Sequence, residues 1–137
     1  MTEGGESKPL RPVSAENAGR VEIFPHESAV LAGNPLSDPA RRDVTVYLPA
    51  GYDESSQRYP VLWSLPAYTS SGPAQVSWRN HGESLPQRLD RLIADGEMPP
   101  VLCVMPDTYT SLGGNQFVDS PAIGDYASYL VDELIPS

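Results

Sequence analysis

Tyr59-Pro60-Val61-Leu62-Trp63-Ser64-Leu65 is an almost continuous apolar run, and its reading decides the fold. A strand with one face in water alternates apolar with polar residues, whereas a strand covered on both faces does not. Residues 61–65 therefore read as a strand inside a parallel sheet flanked by helices. A second such run, Val101-Leu102-Cys103-Val104-Met105, is closed by Pro106-Asp107. Between the two, residues 84–95 carry a helical pattern, with Leu85, Leu89, Leu92 and Ile93 on one face. Ser84 is placed to cap this helix, Pro86 is tolerated in its first turn, and Gly96 fits just past its end. Pro99-Pro100 bars any continuation. Two apolar strands joined through a helix make a parallel pair with a right-handed crossover.

Toward the N-terminus, Asp43-Val44-Thr45-Val46-Tyr47-Leu48 is a strand by its β-branched and aromatic content. Val21 and Ile23 alternate around Glu22 as in a half-buried strand, which Ala29-Val30-Leu31 is expected to continue after a break at Pro25. Residues 33–39 are turn chemistry throughout, so these two strands are expected to be antiparallel. Toward the C-terminus, a glycine-containing loop from Thr108 to about Gly124 leads into a helix near Asp125. Tyr126, Leu130 and Leu134 recur along that helix at a spacing of four, and Pro136 interrupts it. The predicted class is α/β: two strands of antiparallel type, then two buried parallel strands with a crossover helix. Residues 1–19, rich in Glu, Gly, Ser and Pro, are expected to form a disordered tail, leaving 20–137 as the N-terminal part of one domain.

A net charge of −9 with Lys8 as the only lysine excludes the basic surface that a nucleic-acid partner requires. The 15 prolines imply a chain broken often by turns. Cys103, the only cysteine, rules out an internal disulfide and reads as a small buried hydrophobe. No stretch approaches the roughly 20 apolar residues of a membrane helix, and residues 1–19 lack the apolar core of a secretory signal. No membrane partner is expected, and the cytoplasm is the default location. His26 and His81, without cysteines at ligand spacing, do not suggest a metal. Gly113-Gly114 lacks the lysine and the spacing of a phosphate or dinucleotide loop, so no cofactor is expected.

Four stretches, in order, carry a resemblance: residues 42–52, Arg42-Asp43-Val44-Thr45-Val46-Tyr47-Leu48-Pro49-Ala50-Gly51-Tyr52; Arg58-Tyr59-Pro60-Val61-Leu62; residues 99–107; and Gly113-Gly114-Asn115-Gln116-Phe117-Val118-Asp119-Ser120 with Asp132-Glu133-Leu134-Ile135-Pro136. Together they resemble the N-terminal portion of the esterase family of α/β-hydrolases that includes enterochelin-esterase-like and esterase-D-like enzymes. The resemblance implies hydrolysis of a small-molecule carboxylic ester by a serine, with a histidine as base and an acid to orient it. Such a serine sits on a tight strand-to-helix turn, G-x-S-x-G. No such pattern occurs here: Leu65-Pro66 follows Ser64, and Ser71-Gly72 has no glycine correctly placed before it. In the family the turn follows the next strand, which would lie beyond Ser137. The expectation is a truncated serine ester hydrolase, inactive by itself.

The same resemblance assigns one backbone donor of the oxyanion hole to the loop Pro66-Ala67-Tyr68-Thr69. Family members show His-Gly and an aromatic residue there. Pro66 has no N–H and Ala67 tolerates positive φ less well than glycine, so Tyr68 is the first candidate donor and Ala67 the second. Thr69, Trp78, His81, Asn115 and Gln116 are candidate pocket residues. The plainer readings stand beside these: a connecting loop at 66–69, surface histidines, and polar ties at Asn115 and Gln116. Asp107 and Asp125 read as capping residues, and Trp63 as core. Two rival functions share this pattern, a non-catalytic binding scaffold and an acyltransferase.

A parallel pairing of residues 61–65 with 101–105 leaves the other edge of the first strand for a strand beyond Ser137. Left uncovered, that apolar edge is expected to drive self-association.

Overall fold

The computed structural model describes residues 18–67, 70–77, 82–114 and 116–137. Strand β1 (Arg20–Glu27) pairs antiparallel with β2 (Arg41–Leu48) along its whole length, from Arg20 opposite Leu48 to Glu27 opposite Arg41. Pro25 does not break β1. It faces Asp43 on the outermost strand, where a missing N–H need not cost a ladder hydrogen bond. The strand ends at Glu27 instead, and Ala29-Val30-Leu31, expected as its continuation, forms a turn. Ser28 Oγ accepts from the Leu31 N–H at 3.1 Å, a local bond that competes with extended pairing.

Strands β3 (Val61–Trp63) and β4 (Leu102–Met105) are parallel, with Val61 opposite Leu102 and Trp63 opposite Val104. Strand β4 also pairs antiparallel with β2, so the sheet order is β1-β2-β4-β3. The crossover holds two helices. The short α1 (Gly72–Val76), unpredicted from sequence, precedes α2 (Leu85–Ala94). At α2 the Ser84 hydroxyl accepts from the Gln87 N–H, and the Gln87 side chain accepts from the Ser84 N–H. This reciprocal cap satisfies two donors that the first turn leaves open. Gly96 follows with φ of 72°, the left-handed region that glycine adopts without a Cβ penalty.

The sheet has a core on each face. Tyr47, Cys103 and Met105 point to one side, where Leu89 of α2 and Val101 close the cluster. Val44 points to the other, against Leu31, Tyr126, Tyr129, Leu130 and Leu134. Those last four lie on α3 (Tyr126–Ser128) and its π-helical continuation Tyr129–Leu134, where the expected helix is wider than an α-helix. Its last bond runs from the Ile135 N–H to the Leu130 carbonyl, five residues back. A small hairpin, β5 (Asp119–Ser120) with β6 (Gly124–Asp125), occupies the end of the predicted loop.

Two expectations change in detail. Strand β3 is the sheet edge, so Val61 and Leu62 are 46% and 43% exposed where the sequence suggested cover on both faces. Gly19, grouped with the tail, packs on Tyr47 and donates its N–H to Asp90 Oδ1 at 2.8 Å. Residues 1–17 lie outside the described residues. Among the described residues no helix is long and apolar enough to cross a membrane.

Candidate functional site

Parallel strands deliver their loops to the carboxyl ends, where open α/β sheets bind ligands. Here β3 and β4 end at Trp63 and Met105. Because β2 runs the other way, its first residues, Arg41 and Arg42, lie at that same end. Three segments thus converge there: the loop after β3, the loop after β4, and the start of β2.

The loop after β3 is held at both ends. The Ser64 N–H donates to the Val104 carbonyl at 2.9 Å, extending the parallel pairing by one bond. Gln75 of α1 then grips Ser64 twice: the Ser64 hydroxyl donates to Gln75 Oε1, and Gln75 Nε2 donates to the Ser64 carbonyl. Gly72 opens α1 against the end of β4. A Cβ there would stand 2.7 Å from the Met105 carbonyl oxygen and 3.1 Å from that of Pro106, so only glycine fits without a shift. Between these anchors Pro66 is buried and Ala67 exposed, and the Ala67 carbonyl accepts from the Ser70 N–H at 2.8 Å.

The loop after β4 is pinned by Arg42, whose side chain is only 4% exposed. Its Nη1 donates to the Tyr109 carbonyl at 2.6 Å and its Nη2 to the Tyr126 hydroxyl at 2.7 Å. Asp107 lies 3.5 Å from Nη1, close enough to offset the buried charge. Asp107 also accepts from the Tyr109 N–H at 3.1 Å, so it caps its own turn as expected. Asp125 does not act as expected: it starts α3, and no side-chain hydrogen bond caps that helix. Farther along, Thr110 and Gly113 exchange backbone bonds, and both Asp38 oxygens accept from the Ser111 N–H. Phe117 sits at φ of 57°, a left-handed conformation that costs a non-glycine residue about 1–2 kcal/mol.

Of the residues singled out from sequence, Tyr68, Thr69, Trp78, His81 and Asn115 lie outside the described residues. Ala67 and Gln116 are both exposed, on the loops after β3 and β4 respectively. Trp63 packs against the core beneath α3, as read. Arg42, Gln75 and Glu133 escaped the sequence reading as contributors. Arg42 and Glu133 carried a signal, as members of matched stretches, whereas Gln75 carried none.

His26 meets an acid from far along the chain, since its Nε2 is 3.4 Å from Glu133 Oε2. Glu133 also accepts from the Ser28 hydroxyl and from the Ala29 N–H at 2.9 Å. Burial alone pushes this carboxyl up, but the bonds from Ser28, Ala29, His26 and Val30 together outweigh it and hold the group below its usual value. Ser28 bonds to the carboxylate and not to the histidine, so the trio clasps the chain and does not prime a nucleophile. Cys103 is pushed up to about 11 by burial, which keeps its thiol protonated and inert.

An open apolar trough of about 560 Å³ lies on the α3 face of the sheet, bounded by Phe24, Val44, Val46, Val61, Trp63 and Val104. Its lining comes from all four strands, from Phe24 of β1 to Val61 and Trp63 of β3, so it is sheet surface left open beside Leu134 and Ile135.

A β1-β2-β4-β3 sheet, crossed over by helices and carrying its loops at the carboxyl ends of β3 and β4, is the opening of an α/β-hydrolase fold of the esterase type. No family model matches the chain. It is 32% identical over 96 residues to an endo-1,4-β-xylanase/feruloyl esterase of Xylanibacter ruminicola, covering 67% of this chain and 13% of that protein. A ferulic acid esterase of known structure superposes with a TM-score of 0.70 at 26% identity, covering 87% of this chain and 43% of that one. The ferulic acid esterase of the anaerobic fungus Anaeromyces mucronatus shares the fold, with a TM-score of 0.64 at 19% identity over 96% of this chain and 47% of that one. The chain thus spans less than half the length of each.

Proposed function

We propose that this chain builds the N-terminal half of the site of a serine carboxylic-ester hydrolase, and that the ester is a hydroxycinnamoyl one such as a ferulate. The observation that carries the reading is the 32% identity, over two thirds of the chain, to a protein with feruloyl esterase in its name. None of the relatives described above supports the enterochelin-esterase-like form of the resemblance. In the proposed enzyme the loop after β3 supplies one N–H to the oxyanion, with Tyr68 ahead of Ala67 as donor, and the Gly113–Phe117 loop walls the pocket. The serine, base and acid come from polypeptide outside these 137 residues, which contain no G-x-S-x-G turn.

Pro66 favours a second reading. With Ala67 it stands where the family has His-Gly, a replacement that a binding scaffold which had lost catalysis would allow.

One experiment separates the two. The coding sequence is read through the codon for Ser137, and the protein from the whole frame is assayed on methyl ferulate and 4-nitrophenyl acetate. Hydrolysis, with one serine labelled by a fluorophosphonate, is the expected result. A frame without a nucleophile turn, or a protein that hydrolyses neither ester, overturns the esterase reading. Cleavage of the acetate alone removes only the hydroxycinnamoyl part, and ester formation with an added alcohol would point to acyl transfer.

A further inference from the structure

We propose that the chain carries a binding site for a neutral oligosaccharide at the end of the sheet opposite the candidate ester site. A polar cavity of about 480 Å³ opens there, lined by Arg20, Tyr52, Asp53, Glu54 and the turn at 49–51. Its place follows from the strand register. Arg20, the first residue of β1, stands opposite Leu48, the last of β2, and β2 runs antiparallel to β4. The cavity therefore lies toward the amino ends of β3 and β4, away from the loops that follow them.

The parts of this site are held in place. The Gly19 N–H is tied to Asp90, so the chain enters β1 from a fixed point. Arg20 Nη1 and Nη2 donate to the two oxygens of Asp53 at 2.7 and 3.0 Å, and Nε donates to Glu22 at 2.7 Å. Residues 49–55 fold into two successive turns, closed by the Tyr52 N–H on the Pro49 carbonyl and the Ser55 N–H on the Tyr52 carbonyl. The Tyr52 ring rests against Tyr59, with 5.7 Å between centroids.

The chemistry selects the ligand. An apolar molecule would find almost no apolar wall in this cavity. An anion would meet the carboxylates of Glu22, Asp53 and Glu54 against one guanidinium. Among the described residues, no group of three acids, histidines or cysteines is placed to hold a metal. A neutral molecule that both donates and accepts is what fits. Arg20 has five N–H donors, of which three are engaged among the described residues, and each Asp53 oxygen keeps a lone pair. Open donors and open acceptors thus lie side by side along one bidentate pair. Adjacent hydroxyls of a sugar ring, each a donor and an acceptor, match that arrangement, whereas the amides of a peptide keep the two roles apart. The C–H face of the same ring has the Tyr52 side chain to pack on.

The test titrates the protein from the whole frame with xylohexaose and cellohexaose, two neutral and unesterified probes, by isothermal titration calorimetry. At least one is expected to bind, and Asp53→Ala and Tyr52→Ala are each expected to weaken it about fivefold or more. Neither variant should alter kcat or KM on methyl ferulate, because the site lies at the other end of the sheet. Glu27→Gln, which also removes one negative charge but at the far end of β1, should leave the affinity unchanged. Should Tyr52→Ala not fold, Asp53→Ala decides alone, at a side chain 64% exposed. No binding of either probe, binding that Asp53→Ala does not weaken, or an equal loss in Glu27→Gln overturns the proposal. Binding is read without hydrolysis, so a protein that cleaves no ester removes the esterase reading and leaves this test standing.

Discussion

Glu133 shows how a single side chain can hold distant parts of this chain together. It lies over a hundred residues from Ser28 in sequence, yet it accepts from Ser28, Ala29 and Val30 and stands against His26. These partners lower the folded-state pKa of the carboxyl, so the clasp contributes stability above the unfolded value and loses it as pH falls through the folded one. Glu133→Ala is therefore expected to cost about 2 kcal/mol near neutral pH. The gap between wild type and variant should narrow as pH falls below the ordinary Glu value of about 4.3. Urea unfolding at a series of pH values measures it, and a gap independent of pH would show that the charge is not what matters. Nothing near Glu133 in the sequence announces this role, because every partner is brought to it by the fold. Arg42 is the converse case: its neighbours in sequence suggest a strand, while its charge is met by Asp107 and by acceptors on Tyr109 and Tyr126, all more than sixty residues away.

Among the elements, those specified by local rules were legible. Helix α2 carries its cap, its apolar face and its terminating glycine within a dozen residues, and it forms where the pattern placed it. Strands β2 and β4 follow from β-branched or apolar runs in the same way. The misjudged elements are those whose form depends on a neighbour. Helix α1 is only five residues long, too short to be stable by propensity, and it forms because Gly72 lies against the end of β4. Gly72→Ala should therefore cost about 1–3 kcal/mol through overpacking, since the new methyl meets backbone oxygens that cannot swing aside. Thermal unfolding of the variant measures this cost. An unchanged melting temperature would mean that α1 can shift freely and does not anchor the loop after β3.

For the whole molecule, the decisive feature is the edge. Strand β3 ends the sheet with unpaired backbone groups, and Val61, Leu62 and Leu65 beside them are each over 40% exposed. The trough along the adjoining face adds apolar surface. We expect the 137-residue chain on its own to associate in a concentration-dependent way, and Leu62→Lys to reduce that association by charging the edge. Sedimentation velocity over a range of concentrations reports both. A wild-type chain that stays monomeric at tens of micromolar would show that a three-residue edge is too short to recruit a partner. The net charge of −9 opposes association, so the effect of Leu62→Lys should be read at matched ionic strength.

The amino-acid sequence alone determined the α/β class, the parallel pairing of two apolar runs, the antiparallel hairpin before them and the absence of a nucleophile turn. Each of these depends on hydrophobic period, turn chemistry or motif spacing, which act within about ten residues along the chain. Only the tertiary structure decided that Pro25 is tolerated within a strand, and that Arg42, Gln75 and Glu133 hold the loops and termini in place. Apart from Pro25, which its place on the outermost strand makes harmless, these roles depend on contacts between groups separated by eleven to more than a hundred residues. Such pairings are set by how the whole chain closes on itself, and no local pattern encodes them.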